Sequence, residues 1–420
     1  MPEIIHHESF FAIQKNRSIL KIMKNFKTNL FGRGRIYLDH AAATPLRSEV
    51  KKTMDRFWDI DFGNAGAIYE EGVTAQKAIT NSRKTIADIL KSQPNELIFT
   101  SGGTEANSLA LLGFLNNLRE TGMRFEEMHL ITSVFEHPSV LQCFKFFESK
   151  GAQVDYLNIN QEGIVDLEQL KRLITPQTVL VSIMFANNEI GTIQPVTEIS
   201  KIIKSFKRRQ PQPLPFPIFH SDAAQALLFL PIDVQKLNID MLSFDAQKIY
   251  GPKGIGALFL GRGVEINLII LGGNQEKGLR PGTENTPLIV GFAKALELAE
   301  QEKEKESQRL TKLRDYFIAE ILKKIPGSKL NGSPNQRLCN NANIFFPNKN
   351  NEFLVIQLDR KGIACSTKSA CLTNKASYVV DSLGSEENRG KSSVRFTLGK
   401  STTKNKIDYL IKCLVEICLI

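Results

Sequence analysis

Lys248 is the residue with the most chemistry to offer. It lies in Asp245-Ala246-Gln247-Lys248-Ile249-Tyr250-Gly251-Pro252-Lys253-Gly254, directly after a short apolar run. A lysine buried at such a strand end can have its pKa lowered enough for the neutral amine to form a Schiff base. Asp222 follows a second apolar run, where a carboxylate can keep a pyridine nitrogen protonated. His137 follows a third and precedes Pro138, placed to stack on a ring. Thr100-Ser101-Gly102-Gly103-Thr104-Glu105 follows a fourth. Its glycines let the backbone approach an anion, and the start of a helix offers free N–H groups. A lone lysine is ordinarily a surface charge, and a histidine before proline is ordinarily packed. Together the four describe a site for pyridoxal phosphate, whose electron sink needs an amine, a carboxylate at the ring nitrogen and an anion cradle. No Gly-Lys-Ser/Thr follows the glycines, so this is not a nucleotide P-loop. Gly254-Ile255-Gly256 is no dinucleotide fingerprint either, because a strand follows it.

The elements that must position these residues alternate along the chain. Short apolar runs occupy Leu97–Thr100, Leu130–Val134, Val154–Leu157, Val179–Phe185, Ile218–His220, Met241–Phe244 and Ala257–Leu260. Helical patterns lie between them near 104–117, 138–150, 166–174 and 196–207. Such alternation predicts an α/β fold with a mostly parallel seven-stranded sheet covered by helices. Ligands then bind beyond the carboxyl ends of the strands, where the reactive residues fall. After residue 287 the pattern changes to a long charged helix over 288–324, strands near 342–347 and 393–397, a helix near 351–361 and a closing helix from 403. The expected division is a basic N-terminal extension over 1–35, a large cofactor-binding domain over 51–287, and a smaller α+β domain from 36–50 and 288–420. Residues 207–217, basic and proline-rich, read as a surface loop.

Composition is that of a globular protein, 42% apolar and 23% charged. No stretch approaches the roughly 20 apolar residues of a membrane helix. No secretory apolar segment opens the chain, so a cytoplasmic protein with no membrane partner is expected. The formal net charge is +10. Residues 1–35 hold seven Lys/Arg against two Glu, while the remainder is close to balanced. A solvated or docked leader is expected, and direct nucleic-acid binding is not. The six cysteines have neither Cys-x-x-Cys nor zinc spacing, and read as free thiols. No metal site is expected.

The chain resembles the class V aminotransferase family, and within it the cysteine desulfurases. The likeness runs from Ile36 to the C-terminus. It is carried by Tyr-Leu-Asp-His-Ala-Ala-Ala-Thr-Pro (37–45), Phe-Thr-Ser-Gly-Gly-Thr-Glu-Ala-Asn (99–107), Glu-His-Pro-Ser-Val (136–140) and Asn-Asn-Glu-Ile-Gly (187–191). His-Ser-Asp-Ala-Ala-Gln (220–225), Lys-Ile-Tyr-Gly-Pro-Lys-Gly (248–254), Arg-Pro-Gly-Thr-Glu-Asn (280–285), Ser-Ala-Cys (369–371) and Val-Arg-Phe-Thr-Leu-Gly (394–399) complete it. The resemblance implies a fold-type-I pyridoxal-phosphate enzyme that converts L-cysteine to L-alanine. Sulfur would pass to Cys371 as a persulfide, for iron–sulfur cluster assembly or tRNA thiolation. Lys248 would carry the cofactor and move protons, Asp222 would hold the ring nitrogen, and His137 would stack on the ring and act as acid or base. Gln225 and Asn188 would bond near the phenolic oxygen. Gly103 and Thr104, with Gln247 and with Thr283 of a second subunit, would hold the phosphate. Arg395, with Asn64 and Asn188, would bind the substrate carboxylate. The partners implied are a homodimer mate and a sulfur-acceptor protein.

Cys371 lies in the polar stretch Ser366–Lys375, which reads as a loop, and nearby lysines favour a thiolate. Cys365 reads as packing. Four positions depart from the family. Gln247 stands where a histidine is usual, Asp245 for a phosphate-binding serine, Tyr69 for a histidine and Lys368 for a glycine. A carboxylate would repel phosphate, so Asp245 is expected to point away. A selenocysteine lyase-like enzyme and a non-catalytic sulfur-transfer adaptor are the competing readings. The reactive set Lys248, Asp222, His137, Arg395 and Cys371 speaks against the second.

Overall fold

Alternate residues of each central strand belong to different cores. Leu97 and Phe99 face one cluster while Ile98 faces the other, and Ile131, Val181, Phe219 and Leu242 oppose Leu130, Leu180, Ile218 and Met241. Side chains of a strand point to opposite faces in turn, so apolar residues at every position require cover on both sides. The computed structural model of the chain describes residues 34–210, 215–368, 376–384 and 389–419.

β1 (Ile36–Tyr37) leads into α1 (Ser48–Asp59) and α2 (Glu70–Leu90). The central strands are β2 (Leu97–Thr100), β3 (His129–Ser133), β4 (Gln153–Leu157), β5 (Thr178–Ser182), β6 (Ile218–Asp222), β7 (Met241–Asp245) and β8 (Gly256–Leu260). They form one seven-stranded sheet in the order β2-β8-β7-β6-β5-β3-β4. Only β8 runs against the rest, pairing antiparallel with β2 and β7. The mostly parallel α/β sheet expected from the apolar runs is the one observed. Its interstrand helices are α3 (Gly103–Glu120), α4 (Pro138–Glu148), α5 (Leu167–Leu173), α6 (Val196–Arg209) and the short α7 (Val234–Leu237). The helices α3 and α4 pack on one face.

The long α8 (Thr286–Lys324) opens with an Asn285 cap that accepts the Leu288 N–H, and lies along α1 and α2. Beyond it, β9 (Lys329–Leu330), β10 (Asn341–Phe345) and β12 (Ser393–Thr397) make a three-stranded antiparallel sheet, while β11 (Ile363–Ala364) pairs with β1. The helices α9 (Asn351–Arg360), α10 (Tyr378–Asp381) and α11 (Lys404–Cys418) accompany these strands. A bridge from Asp39 to Thr397 then sets the segment after β1 against β12. Among the described residues no helix is long and apolar enough to cross a membrane.

Candidate active site

The carboxyl ends of β2, β3, β5, β6 and β7 open on one cavity of about 370 Å³. Ser101 and Gly102 turn the chain from β2 into α3. Gly102 has φ 157°, and β8 approaches so closely that a Cβ on Gly256 would lie 2.8 Å from the Gly102 Cα. Bare backbone is therefore required on both sides of this turn. Glu105 folds back, accepting from the Ser101 N–H at 2.7 Å and pairing with Arg280 Nε at 2.8 Å. Gly103 and Thr104 remain at the cavity wall. The first turn of a helix leaves N–H groups without intrahelical partners and carries partial positive charge.

Lys248 comes from the turn after β7, and its Nζ donates to the Ala42 carbonyl at 2.6 Å. Gln225 Nε2 donates to the neighbouring Ala41 carbonyl at 3.1 Å. The Ala41–Ala42 segment thus joins the cavity wall through backbone oxygens. Asp222, the last residue of β6, accepts from the Ala224 N–H at 2.9 Å through Oδ1 and from Asn107 Nδ2 at 2.8 Å through Oδ2. Asn107 Nδ2 also lies 2.8 Å from Ser139 Oγ, which is 2.7 Å from His137 Nδ1. The Ser139 N–H donates to the same ring nitrogen. Because Nδ1 accepts, a neutral His137 carries its proton on Nε2. Asn107 therefore ties Asp222 to His137.

Behind them Glu136 is fully buried. Ser133 Oγ is 2.6 Å from Oε1, and the Met184 N–H reaches both carboxyl oxygens at 2.9 and 3.0 Å. Burial, reinforced by the charge of Asp222, pushes its carboxyl up to about 8. Behind the cavity, then, burial favours the protonated form of Glu136, while Asp222 at the cavity wall has two donors aimed at it.

Arg395 closes the opposite end. It is 1% exposed; one terminal nitrogen donates to the Asn188 carbonyl at 2.9 Å and the other to Asp39 Oδ1 at 2.7 Å. Its Nε has no partner among the described residues. Ser366 pairs backbone to backbone with Arg395 in both directions, at 2.7 and 3.1 Å. The segment that leads towards Cys371 is thus tied at Ser366 to the backbone of Arg395. Cys371 itself, with 369–375, lies outside the described residues, as does the leader over 1–33. Cys365 is buried and burial drives its thiol far above the ordinary range, in keeping with a packing role.

The cavity brings together Gly103, Thr104, His137, Asn188, Asp222, Gln225, Gln247, Lys248 and Arg395 from the expected set. Two expected residues stand apart. Asn64 is exposed, its Oδ1 accepting from the Gly66 N–H at 2.9 Å. Thr283 lines a separate hollow of about 210 Å³ with Arg280 and Ser101. Asp245 corrects an expectation: it does not turn away. Its carboxyl faces the start of α3, with Oδ2 3.4 Å from where a Gly103 Cβ would be, and it lines the cavity. Asp245 ends β7, and strand alternation sets its direction. Asn107, Ser139 and Asp39 acquired no role from the sequence. The usable signal was spacing, since Asn107 follows Gly103 by one helical turn.

The chain belongs to the class-V aminotransferase family, which it matches over residues 36–410. It is 42% identical over 384 residues to cysteine desulfurase IscS of Dictyoglomus turgidum, spanning 91% of this chain and 94% of that one. With cysteine desulfurase IscS of Methanosarcina thermophila it shares 43% over 384 residues, 91% of each chain. A solved NifS-like protein superposes with TM-score 0.83 at 32% identity, over 91% of this chain and 99% of that one.

Proposed function

We propose that the chain is a pyridoxal-phosphate-dependent cysteine desulfurase, converting L-cysteine to L-alanine and leaving sulfur on Cys371 as a persulfide. The observation that carries this reading is the convergence of Lys248, Asp222, His137 and Arg395, from four distant parts of the chain, on one cavity. The fit to the cofactor is supported by the helix start at Gly103 and by Asp222, anchored by the Ala224 N–H and Asn107 Nδ2. The family match and the names of the relatives point the same way.

When bound, the cofactor supplies an electron sink for the pair left on the substrate α-carbon. Lys248 would hold it through Nζ, and that amine would take the substrate α-proton. Asp222, held in place by Asn107 and the Ala224 N–H, would keep the ring nitrogen protonated. His137, with Nδ1 engaged by Ser139, would exchange protons through Nε2. Arg395, at the cavity wall and oriented by Asp39, would receive the substrate carboxylate. The Cys371 thiolate forms an S–S bond as the substrate C–S bond breaks; the electron pair stays on carbon, and protonation gives alanine.

The protein works as a homodimer in this account, Thr283 serving the neighbouring subunit's phosphate. The three-stranded sheet and its helices act as the smaller domain. The sulfur acceptor is an iron–sulfur scaffold or a tRNA-thiolation enzyme, in the cytoplasm. The purified protein should show an absorption band of a lysine-bound cofactor that shifts on adding cysteine. Lys248→Ala should retain neither the band nor alanine production, and a band reducible by borohydride in that variant would refute the assignment.

A further inference from the structure

A carboxylate stands in the first turn of α3, where an anion is expected to bind. Glu105 lines the cavity, and its side chain is 12% exposed. A helix start carries partial positive charge and favours anions. The Glu105 carboxylate is therefore placed to compete with a phosphate for the same amides, or to repel it. Gly102 adds to the difficulty. A Ser, Thr, Asp or Asn at this cap position would accept an N–H of the first turn, and a glycine has no side chain to do so. The first-turn amides are thus left to whatever anion reaches them.

Glu105 is held to one side. Oε2 accepts from the Ser101 N–H at 2.7 Å, just before the cap. Arg280 grips the same carboxyl, with Nε 2.8 Å from Oε1 and a terminal nitrogen 3.4 Å from Oε2. Burial raises the carboxyl, but the bonds from Arg280 and Ser101 outweigh it and keep it below its ordinary value. Arg280 lines the neighbouring hollow of about 210 Å³, and Ser101 lines both spaces, so the ion pair stands between them. Arg280 is itself held from behind. Glu276, earlier in the same segment, accepts the Phe99 N–H of edge strand β2 at 2.9 Å and pairs with Arg83 of α2. Glu276 and Lys277 both have left-handed backbone, φ 47° and 61°. Such residues persist only where their surroundings fix them, as β2 and α2 do here. We propose that Arg280 is a positioning residue for the cofactor phosphate. It neutralises Glu105 and keeps it on the Ser101 N–H, so that the Gly103 and Thr104 amides receive the phosphate without a competing carboxylate. The proposal rests on the pyridoxal-phosphate reading given above. Arg280 itself makes no contact with the phosphate, and no bond forms or breaks.

The test compares pyridoxal 5′-phosphate with pyridoxal, which has the same ring and aldehyde and no phosphate. Kd for each is measured by absorbance on the full-length protein freed of cofactor. The proteins are wild type, Arg280→Gln and the double variant Glu105→Gln/Arg280→Gln. Arg280→Gln should bind pyridoxal phosphate roughly 10–100-fold more weakly, the scale of one uncompensated charge near another at a protein's dielectric, and pyridoxal within about threefold of wild type. In the double variant the glutamine oxygen can still accept the Ser101 N–H, and no carboxylate opposes the phosphate. Its affinity for pyridoxal phosphate should return to within about threefold of wild type, the non-additivity expected of residues that act on each other. A side chain that only supports the fold would weaken both ligands alike, without rescue in the double variant; that result overturns the proposal. A crystal structure of wild type with pyridoxal phosphate decides the matter where Arg280→Gln does not fold. Arg280 should remain on Glu105, and a guanidinium turned onto the phosphate of either subunit overturns the proposal. If wild type binds pyridoxal phosphate no more tightly than pyridoxal, the cofactor reading itself falls and this proposal with it.

Discussion

Glu136→Gln should flatten the pH dependence of stability. In the folded chain Glu136 lies buried between Ser133 Oγ and the Met184 N–H, with its carboxyl pushed up to about 8 from an ordinary value near 4.5. Between those pH values the folded protein keeps a proton that the unfolded chain releases. Wild-type stability contributed by this group is complete below about 4.5 and is lost as pH rises through about 8. The slope is about 1.4 kcal/mol per pH unit, for a total on the order of 5 kcal/mol across the interval. Glutamine has the same shape and no proton to lose. Its amide can donate to Ser133 Oγ while its oxygen accepts from Met184. Urea unfolding of both proteins at pH 5, 6, 7 and 8 gives the comparison. The variant should gain on wild type steadily with pH, and cysteine turnover at neutral pH should stay within a few-fold. Parallel stability profiles for the two proteins would refute a neutral Glu136.

Three further substitutions read other parts of the site. Asn107→Ala removes the donor shared by Asp222 and Ser139; loss of a hydrogen bond to a charged group should lower kcat roughly 10–100-fold, and steady-state alanine release checks it. Arg395→Ala should raise KM for cysteine and also cost about 3–5 kcal/mol of stability, because Asp39 keeps a charge with no partner; thermal unfolding alongside kinetics separates the two effects. Cys365→Ser should leave turnover near wild type, since its buried thiol is held protonated; a loss beyond about tenfold in alanine release would give Cys365 a part in sulfur transfer.

Much of the scaffold was legible because apolar runs and strand ends are local features. The runs at 97–100, 241–244 and 257–260 match β2, β7 and β8 within a residue. The ends of β7, β6 and β3 delivered Lys248, Asp222 and His137 to one cavity. The Val179–Phe185 run was read too long: β5 stops at Ser182, and the Met184 N–H goes to the Glu136 carboxyl instead of a strand. That exchange depends on a buried acid 48 positions away, which no local pattern discloses. The Asp39–Arg395 pair spans 356 positions and is created by β12 lying against the segment after β1. Asn107 reads as an ordinary polar helix position until its inward face is known. The direction of Asp245 was misjudged because charge repulsion was weighed alone, whereas its place at the end of β7 fixes which face it points to.

The central claim concerns Cys371, because Lys248 and Asp222 are common to many reactions of the same cofactor, whereas a nucleophilic thiol selects sulfur transfer. The direct measurement is peptide mass spectrometry of the protein after brief exposure to L-cysteine, with wild type and Cys371→Ser compared. A persulfide on the peptide containing Cys371, with alanine formed in wild type and substrate held without turnover in the variant, is the predicted result. A persulfide mapped to Cys365, or undiminished alanine production by Cys371→Ser, would contradict the account.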